Sequence, residues 1–183
     1  MLAPVLITPP EELPVSLDLA KLHLRVDHDD DDVLISSLIN AAVDHLDGWT
    51  GVLGRCLVEQ AWRQDFDALA RCMPLPLGPV IEIVSVDYFD AYGSEQTMDP
   101  DDYLLRTDAG GRSVLELKSW PSSRSASVTY KAGFSVVPVA ITTAILMLVA
   151  HWYANREAAA AGDLATVPMA VDALVAPYRR VGV

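Results

Sequence analysis

Apolar residues recur along this chain at two different periods, and the changes between them divide it. From Leu17 to about Trp49, and again beyond Pro138, the spacing is three and four; from Leu57 to Phe134 it is two. Ser16 is placed to N-cap LDLAKLHL, a short helix with Leu17, Ala20, Lys21 and Leu24 in register. A second helix is expected almost at once. Asp29 to Asp32 put negative charge at its N-terminus, Ile35, Leu38, Ile39, Ala42, Leu46 and Trp49 form its buried face, and Gly48 with Gly51 marks its stop. The third helix is the most apolar. Pro138 fits a first helical turn, and Ile141, Ala144, Ile145, Leu148 and Trp152 make a stripe that Leu146, Met147, Val149 and Tyr153 widen. Such a helix needs cover on more than one side. Carried to its Ala run and Gly162, it would be roughly 36 Å long at about 1.5 Å per residue.

The period-two region predicts strands. In LVEQAWRQDF, Val58, Gln60, Trp62 and Gln64 share one face; PLPLGP then interrupts, and VIEIVSVDYF follows, rich in β-branched residues. Shorter strands are expected at EQTM, DYLLRT, SVLEL and SASVTYKAGF, with turns at 92–94, 108–111 and 120–121. The expected fold is therefore α+β: a mainly α-helical bundle with an inserted small antiparallel β-subdomain. One domain spans 1–183, with N-terminal helices at 14–52, the β-rich subdomain at 55–135, the long core helix at 137–162 and a closing segment at 163–183. Between the last two helical pieces, Ala158 to Asp163 and Thr166-Val167-Pro168 read as a hinge. Pro168 would open a helix carrying Val171, Leu174 and Val175 on one side, and that helix either stays on its own subunit or crosses to a neighbour.

Composition supports a real core without disulfides: the chain has 183 residues and 51% hydrophobic content. Cys56 and Cys72 stand apart, without CxxC or a Cys/His cluster, and read as packed thiols suited to a reducing cytosol. No secretion signal is expected, since no basic segment precedes an apolar stretch and a small-residue cleavage site. A membrane span is not expected either. The apolar run from Val139 to Ala154 carries Thr142, Thr143 and His151 and falls short of the roughly 20 residues a bilayer needs.

Thirteen Lys and Arg against 25 Asp and Glu give a formal net charge of −12, which opposes attraction to phosphate backbones. Arg179 and Arg180 are the one adjacent basic pair. An acidic protein can still line a channel through which DNA slides without sticking. The acidic run DHDDDD invites a calcium reading, with Asp27, Asp29 and Asp31 at the first, third and fifth places of an EF-hand-like loop. It fails where Asp32 replaces the required Gly and Leu38 the bidentate Glu, leaving helix capping and solvation as its expected role.

Catalytic patterns are missing from the sequence. His23, His28, His45 and His151 form no metal spacing, and neither GxSxG nor a phosphate loop occurs. For His151 a hydrogen-bonded packing role is expected. Glu82, Asp87 and Asp90 imitate a nuclease carboxylate set without its following Glu-x-Lys or a basic groove. The rival reading, a small metal-dependent nuclease or hydrolase of a DNA-packaging machine, takes carboxylates from the second helix and the β-region as its ligands.

Taken in order, LDLAKLHLRVD, DDDDVLISSLINAAVDHLDGWTG, GRCLVEQAWR, LPLGPVIEIVSVDYFDAYG, SVTYKAGF, VPVAITTAILMLVAHWYANREA and VPMAVDALVAPYRR resemble head-tail connector proteins, or adaptors, of long-tailed phages and gene transfer agents. The resemblance covers nearly the whole chain and rests on shared order and spacing. It implies a structural, non-enzymatic protein with no cofactor and no bound metal. It implies a homo-oligomeric ring, typically dodecameric, between the portal and the stopper or tail-terminator protein, through which DNA passes without specific binding. The place implied is the particle neck, reached from the host cytoplasm during assembly. In such adaptors the helices form the ring body, the β-region projects, and the C-terminal segment reaches the portal. Carried over, Pro177, Tyr178, Arg179, Arg180 and Val181 become the portal-binding residues, with Tyr178 an aromatic anchor and the Arg pair forks for carboxylates or carbonyls. The plainer reading of the two Arg is that they complement a helix dipole.

Overall fold

Alternation of side chains along eight short strands and a three-to-four spacing along four helices produce the architecture seen in a computed structural model, which describes residues 2–155 and 169–180. The chain folds as two units, one of Met1–Glu11 with Arg55–Ser135 and one of Glu12–Gly54 with Val136–Val183.

The first unit is built from β1 (Val5–Thr8), β2 (Gln60–Phe66), β3 (Cys72–Leu75), β4 (Val80–Asp90), β5 (Glu95–Thr97), β6 (Tyr103–Thr107), β7 (Ser113–Leu117) and β8 (Ser123–Ala132). They form two antiparallel sheets, β1-β2-β8-β4-β5 and β3-β7-β6. Their inner faces share one core: Trp62, Val86, Val128 and Tyr130 come from the larger sheet, and Met73, Leu75, Leu115 and Leu117 from the smaller. The period-two reading of β2 holds, with Gln60, Trp62 and Gln64 all buried. Bonding compensates part of the cost of burying amide groups there: Trp62 Nε1 donates to Gln60 Oε1 at 3.2 Å and Gln64 Nε2 to the Leu2 carbonyl at 2.9 Å, while Gln64 Oε1 is buried without a hydrogen-bond partner among the described residues. In β4 the pairing with β8 skips Ile81 and Val84, so two bulges push these apolar side chains outward and break the alternation.

The second unit holds α1 (Leu17–Leu24), α2 (Asp32–Leu46), α3 (Val139–Ala154) and α4 (Met169–Val175), the last followed by a 3-10 turn at Ala176–Tyr178. Ser16 caps α1 as expected, its Oγ accepting the Leu19 N–H at 3.2 Å. Ile35, Ile39, Ala42, Val43 and Leu46 of α2 are buried, and Gly48 at φ 74 turns the chain away after it. On α3, Ile141, Ala144, Ile145, Leu148 and Val149 are buried, and α1, α2 and α4 all pack against this helix, which gives its wide apolar surface the cover it needs. Pro138 is the N-cap, its carbonyl accepting the Ile141 and Thr142 N–H groups. At the other end Asn155 donates from both its N–H and its Nδ2 to the His151 carbonyl. The expected continuation to 162 and the hinge at 158–168 lie outside the described residues. None of the described helices is long and apolar enough to cross a membrane.

One expectation is overturned. The chain is not a mainly helical bundle with a small inserted sheet: the described residues are 31% helix and 31% strand, in two sheets. Two strands account for much of the shortfall. β1 has only four residues, and β3 contains Pro74, which reads as a breaker but sits on the edge of its sheet, where a missing N–H is tolerated.

Candidate functional site

Residues 169–180 pack against the helices of the same chain. Val171 and Val175 are buried and Leu174 half-buried on the side of α4 that the spacing predicts. The Arg180 N–H donates to the Leu53 carbonyl at 2.9 Å, and Leu53 in turn donates to Leu46, the last residue of α2, at 3.2 Å. The predicted portal-binding residues are thereby placed at the C-terminal end of α2. Pro177 and Arg179 are exposed, Tyr178 and Arg180 half-buried, and Val181 lies outside the described residues. Arg179 Nη2 meets Asp172 Oδ1 at 2.6 Å, a surface pair of small energetic weight.

At the N-terminal end of α2 the acidic run does more than solvate. Lys21 of α1 bridges Asp29 at 2.6 Å and Asp32 at 2.7 Å, while the Tyr153 hydroxyl of α3 donates to Asp31. Asp31 is the N-cap of α2, yet its side chain makes no capping bond, so tying three helices together replaces the expected capping. Hydrogen bonds from Lys21 hold the Asp29 carboxyl below its ordinary value, and the same bonds raise Lys21. Lys21 is raised, so its contribution is complete below its ordinary value of 10.5 and fades as pH climbs through the folded value. Asp29 is lowered, so its contribution is complete above 3.8 and fades as pH falls. The thermal midpoint of the wild type is therefore expected to carry a constant contribution from this bridge between about pH 5 and about pH 9. Lys21→Met should make the α1 amides exchange faster in that window; unchanged exchange at residues 20–24 would refute a role in holding α1.

Exposed apolar side chains gather at both ends of the same helix. Leu22 is 76% and Val33 82% exposed beside the acidic run, and Trp49 (47%) and Val52 (40%) stand beyond the C-terminus of α2. Trp49 was expected in the buried face, where Val43 lies instead; the turn at Gly48 swings it out of register. Leu22 falls outside the Leu17, Ala20, Lys21, Leu24 register, and that was the legible sign of its exposure.

The carboxylates of the rival reading do not converge. Lys131 Nζ engages Glu82 at 2.8 Å; Asp87 accepts from the Ser85 and Thr97 hydroxyls, each at 2.7 Å; Asp90 accepts the Tyr92 and Ser94 N–H groups in a tight turn. Each stabilises local backbone or a strand pair, and among the described residues no three His, Cys, Asp or Glu are grouped to hold a metal ion. Cys56 is buried as expected, but Cys72 is exposed on β3. His151 Nε2 is buried with no hydrogen-bond partner among the described residues, against its expected bonded role.

Exposed apolar side chains and paired charges thus mark the surface of the helical unit. Residues 14–75 match the family model of phage gp6-like head-tail connector proteins, which bears out the resemblance carried by the sequence. That family consists of structural particle components, which are not enzymes. A search of curated proteins finds no match. Among solved structures, a chain in the neck of an empty gene transfer agent particle, computed with C6 symmetry, is similar at 24% identity and a TM-score of 0.77, over 100% of this chain and 97% of that one. A chain of the virion of a native gene transfer agent particle is similar at 23% identity and 0.78, over 98% and 96%. A third, in a native neck computed with C12 symmetry, gives 24% and 0.70, over 98% and 97%.

Proposed function

We propose that this chain is a structural head-tail connector that assembles as a ring in the neck of a phage or gene transfer agent particle, between the portal and the stopper or tail. The observation that carries this reading is agreement of fold over the whole chain with neck proteins of gene transfer agents, joined to the connector-family match at its N-terminal part. The chain works as one adaptor domain and needs no cofactor. Symmetric head-to-tail contacts close the ring, and the C6 and C12 symmetries of the similar necks support a cyclic assembly. A net charge of −12 leaves the lumen poorly adhesive to passing DNA.

The segment of Pro177, Tyr178, Arg179, Arg180 and Val181 is the portal-facing end of the chain in this reading. Removing residues 178–183 spares the buried Val171 and Val175, so the truncated chain is expected to keep its circular dichroism while losing attachment to portal-bearing heads in a co-sedimentation assay. Attachment at the wild-type level would refute the docking assignment. A cryo-electron microscopy map of the assembled neck tests the ring position directly, and density for this chain anywhere outside the neck would overturn the connector reading.

A further inference from the structure

We infer that the portal meets this chain through an apolar contact in which Trp49 and Val52, on the turn after α2, act together with the closing segment. The contact rests on the portal-docking reading above and gives it a chemistry: the partner surface is an apolar segment of the portal, not a row of carboxylates. Trp49 is its anchor.

The turn and the closing segment form one surface. The Arg180 N–H donates to the Leu53 carbonyl at 2.9 Å, and a Cβ added to Gly54 would stand 3.5 Å from the Arg180 Cβ. A partner seated on residues 177–180 therefore reaches the turn that carries Trp49 and Val52, and this continuity commits the patch to the portal. The turn itself is fixed. The Val52 N–H donates to the His45 carbonyl at 2.9 Å, Leu53 to Leu46 at 3.2 Å and Gly54 to Gly51 at 3.1 Å, and a Cβ on Gly51 would stand 2.1 Å from the Asp47 carbonyl oxygen. Trp49 is thus held half in water on backbone that is already ordered, so little freedom is lost when a partner covers it.

Charge does not compete for this role. Arg179 is paired with Asp172, and Asp44, Asp47 and Asp172 outnumber the two Arg, so the carboxylates of a partner gain no net attraction here. What the surface offers instead is apolar: Trp49 and Val52, with Pro177 exposed on the closing segment. Trp is among the residue types that dominate interface energies. Salt separates the two chemistries, because a contact between exposed charges weakens as ionic strength rises and an apolar one does not.

Trp49→Ser and Val52→Ser in the full chain, each checked by circular dichroism and urea midpoint, test this by co-sedimentation with portal-bearing heads at about 0.1 M and about 0.5 M NaCl. Wild-type attachment should change by less than about threefold between the two salts, and Trp49→Ser should weaken it at least about tenfold at both. Val52→Ser, a smaller change on a side chain already 40% exposed, should weaken it about threefold or more, and it decides the matter if Trp49→Ser does not fold. Two results overturn the apolar contact and leave the docking reading in place. One is that folded variants attach as the wild type does while the chain lacking residues 178–183 does not; the other is wild-type attachment that falls more than about tenfold at the higher salt. If the truncated chain attaches normally, the docking reading fails and this contact with it.

Discussion

Gly133→Ala is expected to destabilise the folded chain by about 3 kcal/mol or more. Gly133 follows β8 at φ 152, a conformation side chains rarely adopt, and a Cβ there would stand 2.4 Å from both the carbonyl carbon and oxygen of Val58. The obstacle is backbone, so no rotamer change relieves it. The Gly133 N–H meanwhile donates to the Pro79 carbonyl at 2.9 Å and the Phe134 N–H to Leu57 at 3.3 Å, so moving this corner also strains the chain leading into β2 and β4. Urea unfolding of the full chain followed by tryptophan fluorescence measures the loss. A change below about 1 kcal/mol would show that the Val58 peptide yields freely, contrary to the packing described.

Leu148→Ala acts through a void instead of a clash. Leu148 is fully buried in the middle of α3, the helix against which α1, α2 and α4 all pack. Truncating it should cost about 3 kcal/mol, within the roughly 2 to 5 found for buried Leu when surroundings only partly collapse. Against a total stability of about 5 to 15 kcal/mol, that is enough to lower the thermal midpoint by many degrees. A midpoint within about 2 °C of the wild type would mean that the helices close over the space.

Where packing follows one local period, the sequence was easy to read. Ser16 capping, the buried stripe of α3 and the inward Gln60, Trp62 and Gln64 are all consequences of residues three, four or two places apart. Long-range pairing was harder. β1 is recognisable as a strand only because β2, more than fifty residues later, lies beside it, and Pro74 is harmless only because β3 is an edge. Undercounting strands in this way made the fold look mainly helical. At the candidate interface, Arg179 and Arg180 stood out as the one basic pair, but their tether to Leu53 and the outward swing of Trp49 depend on turns that carry no periodic signal.

Both units are discontinuous in sequence, each interrupting the other. During synthesis the first unit can complete its larger sheet once β8, ending at Ala132, has emerged. The second cannot: α1 and α2 are made early, and Ile35, Ile39 and Leu46 must wait for α3, which begins at Val139. At about 5 to 20 residues per second, that leaves a two-helix apolar face uncovered on the ribosome for several seconds while the β-rich unit is made between its halves.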